Sequence, residues 1–380
     1  MIPSWYLPEG GQFCRNQAQI VTDRGLKANV LANVSLSWKK YKFRNLTFPW
    51  HSYTSNEDGL VVFRKFTRRI PILKKINGLW WSWNTLHLFN KYCKIHGVPD
   101  LIHVHSVLWG GYAAYLIYKK RGIPYVITEH KGLFGLSCDY AIRQFEDWQT
   151  PYMEKAFSNA KAIIPVSTNL IPKIQNYLKK EVPIIPISNV VDTDFFHYKD
   201  RIIENDIKIV AVNGFTFVKA YDILFPAFDK ACDKISNIKL RIVGEDFEGS
   251  EFNRLWAVVK HKDKFTFTGE LDFNGVREEL WNANFFIIPS RVESQSVSAL
   301  EALSTGLPIV CTSVIPVEMA TKETAIVVPV EDISALSDAI IEMAEKYQTY
   351  DGKLISDKIK KIAGKDVVTA KLIDLYSNLI

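Results

Sequence analysis

The stretch PSRVESQSVSALEALSTGLPIVCT, residues 289–312, decides the fold. An apolar β-type run ends at Pro289 and Ser290, and a short polar loop carrying Glu293 follows. Helical spacing then predicts a helix from about Ser296 to Thr305, with Ser298 and Glu301 at capping-box spacing and Gly306 and Pro308 as its stop. Strand, polar loop and helix in this order make an anion site, because the first amides of a helix lack internal partners and carry its partial positive charge. Glu293 sits in the loop and Glu301 about two turns into the helix, so both can accept hydrogen bonds from hydroxyls of a ligand held there.

The same alternation of short apolar runs and longer helical ones extends outward from this stretch. Strands are expected at 28–32, 101–105, 125–128, 162–166 and 183–187, and again at 207–212, 238–243, 265–268, 285–289, 308–311 and 325–328. Continuous apolar strands separated by helices imply parallel sheets covered on both faces. Eleven strands are too many for one simple sheet. The charge also changes sign along the chain: residues 1–200 carry 26 Lys and Arg against 14 Asp and Glu, and residues 201–380 carry 21 against 27. A boundary is therefore expected near 196–206, in the polar run HYKDRIIEND. The reading is an α/β chain of two Rossmann-like, doubly wound domains facing a cleft, at 1–198 and 199–365. A C-terminal helix at 366–380, spaced by Val368, Leu372, Leu375 and Leu379, is expected to return to the first domain. Ligands of such sheets bind beyond the carboxyl ends of the strands.

Composition narrows the class. Of 380 residues 47% are apolar and 23% charged, which excludes a disordered or fibrous chain. No apolar run reaches the ~18–20 residues that span a bilayer, and no secretory leader is recognised at the start. Cys14, Cys93, Cys138, Cys232 and Cys311 lie far apart, which speaks against a zinc knuckle or a disulfide framework and for a cytoplasmic setting. Residues 1–100 hold 15 Lys and Arg against 5 Asp and Glu. Within them FRKFTRRIPILKKINGLWWSWNTL (63–86) interleaves cations with indoles, which suits the anionic inner face of a membrane. No nucleic-acid motif accompanies the charge, so nucleic acid is not an expected partner.

The pair Glu293 and Glu301, in the frame PSRVES with LEALSTGLPIV, resembles glycosyltransferase family 4. Further pieces resemble that family in order: PEGGQFCRNQA (8–18), PDLIHVH (99–105), VITEH (126–130), IPISNVVDTDFF (185–196), VNGFTFVKAYDIL (212–224) and IVGED (242–246). The resemblance implies a GT-B fold and a retaining, metal-independent transfer from a nucleoside-diphosphate sugar to a glycan or lipid-linked acceptor, in surface polysaccharide synthesis and with no cofactor. It gives His130, Glu293 and Lys219 the catalytic roles: His130 near the reacting carbon and phosphate, Glu293 on the donor sugar and Lys219 on the diphosphate. It places Glu301 on the ribose, Gly10, Gly11 and Gly214 where backbone approaches donor, Ser296, Val297 and Ser298 at the phosphate, and Gly269 and Leu271 beside the base. Of His103 and His105, the reading admits at most one to the site.

Four positions depart from the family's pattern. Gly214 stands where an Arg is frequent, with Arg291 as the candidate substitute cation. Ala220 follows the loop lysine in place of Gly. Ser294 and Ser296 replace glycine-type positions. Only Met1 and Ile2 precede Pro3, so the central first strand is expected to be missing or to lie upstream. Two rival readings keep the fold: a nucleotide-sugar epimerase or phosphorylase, and a non-catalytic subunit that binds donor or lipid.

Overall fold

The computed structural model describes residues 1–3, 12–36, 52–57, 59–70, 72–130, 145–201 and 204–380. Gly10, Gly11 and Cys138 lie outside the described residues; Cys14, Cys93, Cys232 and Cys311 are free thiols. The chain forms two compact units, Met1–Val190 with Val368–Ile380, and Val191–Val367. Val191 and Phe196 are buried in the second unit's core, and the Val191 N–H donates to the Ala363 carbonyl, so residues 191–198 belong there.

The first unit runs β1 (Ile2–Pro3), α1 (Gln12–Thr22), β2 (Val30–Leu36), β3 (Tyr53–Glu57), β4 (Leu60–Arg68), α2 (Lys74–His96), β5 (Ile102–His105), α3 (Tyr112–Arg121), β6 (Tyr125–Glu129), α4 (Thr150–Asn159), β7 (Ala162–Pro165) and α5 (Ile171–Gln175). One sheet has the order β1-β5-β6-β7, all parallel, and a second has the order β2-β4-β3. The expected gap at the first strand is filled. Ile2 pairs with Val104 and Pro3 with His105, while the Met1 carbonyl accepts the Leu31 N–H at 2.8 Å. Met1, Ile2 and Pro3 thus bridge the two sheets.

Two further expectations change. Residues 53–68 form a hairpin that the sequence reading passed over. Its turn is made by Gly59 at φ 87°, whose N–H donates to Asn56 Oδ1, ahead of a strand with Val62, Phe63 and Phe66 buried. The first quarter of the basic stretch 63–86 is therefore strand, and Arg64 is buried against Glu57. The run 183–187 makes only an isolated bridge, Ile163 to Ile184. Pro183 and Pro186 have no N–H to donate, so only Ile185 and Ile187 donate to β7, while the Pro183 carbonyl accepts the Ile163 N–H, as an edge position allows.

The second unit runs β8 (Ile207–Val212), α6 (Tyr221–Cys232), β9 (Ile238–Val243), α7 (Gly249–Ala257), β10 (Phe265–Gly269), α8 (Phe273–Asn282), β11 (Phe285–Ile288), α9 (Val297–Ser304), β12 (Ile309–Thr312), β13 (Ala325–Val328), α10 (Ile333–Lys346) and α11 (Gly352–Ala363). Its strand order is β10-β9-β8-β11-β12-β13, parallel throughout. β8, β11 and β12 are largely apolar and covered on both faces, which is why they read as continuous runs rather than alternating ones. The final helix, α12 (Lys365–Ser377), buries Val368, Leu372, Leu375 and Tyr376 against Ile20, Val126 and Ile164 of the first unit. Among the described residues, no helix is long and apolar enough to cross a membrane.

One glycine holds the second sheet's site loops at their spacing. Gly244, at φ 155° after β9, lies so close to the loop after β8 that a Cβ there would sit 2.3 Å from the Asn213 carbonyl oxygen. Gly244→Ala must push that backbone aside. It is expected to lower stability by roughly 1–3 kcal/mol, measured by denaturant unfolding; an unchanged midpoint would count against the close approach.

Candidate active site

The order of the second sheet reverses between β8 and β11, and at such a switch point the loops after the two strands diverge and leave a crevice. The loop after β8 holds Gly214 and Lys219; the loop after β11 holds Ser290, Arg291 and Glu293. They are tied together. The Arg291 N–H donates to the Val218 carbonyl at 2.8 Å, and its guanidinium donates to the Phe217 carbonyl at 2.6 Å and to both Asp222 oxygens at 2.9 and 2.7 Å. Its Nε donates to Glu331 at 2.7 Å, and its plane lies 4.1 Å from the Phe217 ring centroid. Held by this tie, Lys219 Nζ meets Glu293 Oε1 at 2.6 Å, and the Ser290 hydroxyl donates to the same oxygen at 2.9 Å. Ala220, left-handed at φ 55°, turns the chain into α6.

The helix that follows is capped differently from the sequence expectation. Ser296, not Ser298, is the N-cap, its Oγ accepting the Ala299 N–H at 3.3 Å. The N–H groups of Val297 and Ser298 open α9 and carry its partial positive charge. Glu301 lies farther along α9, half-buried. Gly269 ends β10 at φ 73°, two strands from β8, and Leu271 packs half-buried just beyond it. Glu245 and Glu270, on the neighbouring strand ends, share a hydrogen bond that raises the Glu245 pKa. This acidic pair was passed over in the sequence, although IVGED and TGEL both follow apolar runs.

In the first unit, His130 follows β6 and is buried, its Nδ1 3.0 Å from Asn189 Oδ1 and its Nε2 2.9 Å from His105 Nδ1. With Asn189 Oδ1 as acceptor, His130 carries its proton on Nδ1, so His105 donates from Nδ1 to His130 Nε2. Among the described residues, His105 Nε2 is buried with no hydrogen-bond partner. His103 bonds the Tyr376 hydroxyl and Thr128, and its ring stacks on His105 at 4.6 Å. Residues two apart on a strand share a face, as the stacked rings show; His105 is the one of the pair that bonds His130, while His103 turns to Tyr376 and Thr128. A cavity of about 470 Å³ lined by Asn29, Tyr92 and His96 lies at the amino-terminal edge of the strands, and His103 and Tyr376 reach its wall.

A family model for glycosyltransferase family 4 matches residues 46–195, and one for glycosyl transferases group 1 matches residues 206–346. The chain belongs to the GT-B glycosyltransferases. It is 23% identical over 360 residues to TuaC of Bacillus subtilis, a glycosyltransferase whose name assigns it to teichuronic acid biosynthesis, covering 89% of this chain and 86% of that one. It is 25% identical over 279 residues to the uncharacterized glycosyltransferase MJ1178 of Methanocaldococcus jannaschii, covering 73% and 72%. The fold is shared with sucrose-phosphate synthase from Thermosynechococcus elongatus (TM-score 0.79, 19% identity, 100% and 98% covered). It is also shared with HepE of Anabaena in complex with UDP and glucose (TM-score 0.73, 13% identity, 99% and 98% covered).

Two departures of this glycosyltransferase from the family pattern now have physical readings. Gly214 lies against β9's exit, where a Cβ would stand 3.2 Å from the Glu245 carbonyl, so a larger residue would press on that backbone. Arg291 does not stand in as an open cation for the donor: two carboxylates hold its guanidinium, and it acts as the strut of both loops. Lys219 is the cation that the loops present.

Burial sets the charge states. It pushes the Glu301 carboxyl up to about 8, so in the folded chain it keeps a proton that an unfolded glutamate loses near 4.5. The folded state then binds more protons between those values, and stability falls as pH rises from about 5 to 8. Glu301→Gln should flatten this fall, raising the unfolding midpoint over wild type at pH 8.5 with the gap closing by pH 5; parallel pH profiles would contradict it. Burial also pulls His130 down to about 4, and His103 and His105 well below 6.5. Here the unfolded chain binds more protons below pH 6.5, so stability drops as pH falls toward 4. His105→Gln should lessen that acid slope by about one proton, read from urea titrations between pH 7 and 4.5; an unchanged slope would show that His105 is not held neutral.

Proposed function

We propose that this glycosyltransferase moves a sugar from a nucleoside diphosphate to a hydroxyl of a glycan or lipid-linked saccharide, with retention at the anomeric carbon, in surface polysaccharide synthesis. The observation that carries the reading is the Lys219–Glu293 pair at the switch point, ahead of a helix that offers free amides and a second carboxylate. The leaving diphosphate gains negative charge as the glycosidic bond breaks. Lys219 and the Val297 and Ser298 amides supply fixed positive charge there, with no resident metal and no cofactor assigned. Once the diphosphate takes the ammonium, Glu293 is released to the sugar hydroxyls. Glu301, protonated while the site is empty, accepts the two ribose hydroxyls as a carboxylate and releases its proton on binding. His130, its ring fixed by Asn189 and His105, is assigned to the reacting carbon and phosphate, as the family resemblance implies. HepE was solved with UDP and glucose, and TuaC is named for teichuronic acid biosynthesis; both support this class of donor and acceptor.

The test is nucleotide release from a panel of UDP- and GDP-sugars, with and without saccharide acceptors. Lys219→Ala and Glu293→Ala are each expected to lower acceptor-dependent release by about a hundredfold or more. Turnover equal to wild type would sink the assignment. Conversion of donor into another nucleotide sugar without acceptor, followed by NMR, would instead identify an epimerase.

A further inference from the structure

Between Gly59 and Pro99 the chain holds eight Lys and Arg and no Asp or Glu. The hairpin takes Arg64 into the interior, and Trp81 is buried with its Nε1–H on the Asn33 carbonyl. The turn after β4 and one face of α2 point outward. Ile72 is 95% exposed, and Ile70, Ile76, Leu79, Trp80 and Trp83 are also exposed, along a turn and the face of α2 that continues it. Proteins that meet only water rarely keep so many large apolar side chains together on their surface.

The display is built rather than frayed. Ile72 sits at φ 70°, a left-handed conformation that a β-branched residue resists. Asn77 fixes the turn, accepting the Ile70 N–H at 2.8 Å and donating to its carbonyl at 2.6 Å, while the Lys74 N–H bonds the Ile72 carbonyl at 2.9 Å. Trp80 and Trp83 stack at 5.2 Å, and Trp83 stacks on His87 at 5.8 Å. Lys74 and Lys75 occupy the first turn of α2, where the helix already carries positive charge and cations are disfavoured unless an anion lies outside. Lys74 is paired with Glu146; Arg69 and Lys75 stand exposed beside the apolar turn, and Lys91 and Lys94 extend the same face.

We propose that this turn and the first half of α2 dock on the surface of an anionic lipid bilayer, with Ile72 and the two indoles at headgroup depth and the lysines on lipid phosphates. Indoles favour that depth. Each Lys or Arg near such a surface strengthens partitioning about fivefold. A carboxylate-free run of cations around an apolar crest complements negative lipid; among the described residues, Glu146 on Lys74 is an acidic partner at its edge, and Arg69 and Lys75 stand exposed beside the crest. The docking stands independently of the transfer chemistry, and it would bring the protein to a lipid-linked acceptor.

The experiment is co-sedimentation of the full chain with vesicles of phosphatidylcholine alone or mixed with phosphatidylglycerol. Expected is several-fold stronger binding to the anionic vesicles, weakening with salt. Ile72→Gly with Trp83→Ser should cut it about tenfold or more; glycine accepts φ 70° without strain, so the turn is kept. Lys75→Glu alone should erase most of the preference for anionic lipid. Nucleotide release from a soluble donor and acceptor should be unchanged in all variants. Wild-type binding no stronger to anionic than to neutral vesicles, or a double variant that binds as wild type, would overturn the proposal. So would sedimentation velocity showing that the double variant loses self-association while lipid binding is absent, since the patch would then join two copies.

Discussion

A single buried guanidinium holds the second unit's site together. Taking an arginine out of water costs several kcal/mol unless carboxylates and carbonyls meet its donors. Arg291 has Asp222 from α6, Glu331 after β13 and the Phe217 carbonyl, with the Phe217 ring under its plane. Those partners come from two separate segments, 217–222 and the turn after β13, and Arg291 itself belongs to a third. The charge can be satisfied only when the loops after β8 and β11 lie side by side, and that is the condition under which Lys219 reaches Glu293. Replacing the arginine would leave Asp222 and Glu331 facing each other, so the tie enforces the loop pairing rather than merely accompanying it.

The glycines on the neighbouring strand work in the same direction by a different force. Gly244 and Gly214 let backbone approach backbone where any Cβ would intrude, so the rim of the sheet is drawn in beside the tied loops. Ala220 shows the opposite balance. It accepts a left-handed conformation that glycine would adopt freely. Its side chain is fully buried, so packing around the methyl offsets part of the backbone cost.

Legibility in the sequence followed the strength of periodic signals. β11, its polar loop and α9 were readable because an apolar run, a serine cap and a Gly-x-Pro stop fall within two dozen residues. The six strands of the second unit were readable for the same reason. The hairpin at 53–68 is hidden in the sequence because its cations read as part of a membrane-facing basic run, although Arg64 is neutralised internally by Glu57, a partner that spacing alone does not reveal. Ile2–Pro3 is too short for any period to register. Its place is set by register against Val104 and His105, which is tertiary information. Arg291 was visible as a cation, but its role depends on where Asp222 and Glu331 lie in space. The histidines of PDLIHVH and VITEH were visible singly; their assembly depends on strands β5 and β6 being neighbours in register.

Under the proposed function, the ion pair between Lys219 and Glu293 is a resting contact that a donor would replace. Both side chains are largely shielded, 22% and 11% exposed, so neither charge could stand alone there without loss. A diphosphate entering at the α9 amides offers the lysine a stronger, doubly charged partner. The lysine can change partners without an unpaired intermediate, because Ser290 continues to donate to the Glu293 oxygen that Lys219 leaves. The glutamate then keeps its charge and its place while its remaining lone pairs turn to hydroxyls. Under the proposed function, binding and activation would be the same exchange of hydrogen bonds, made within the frame that the loop tie through Arg291 fixes.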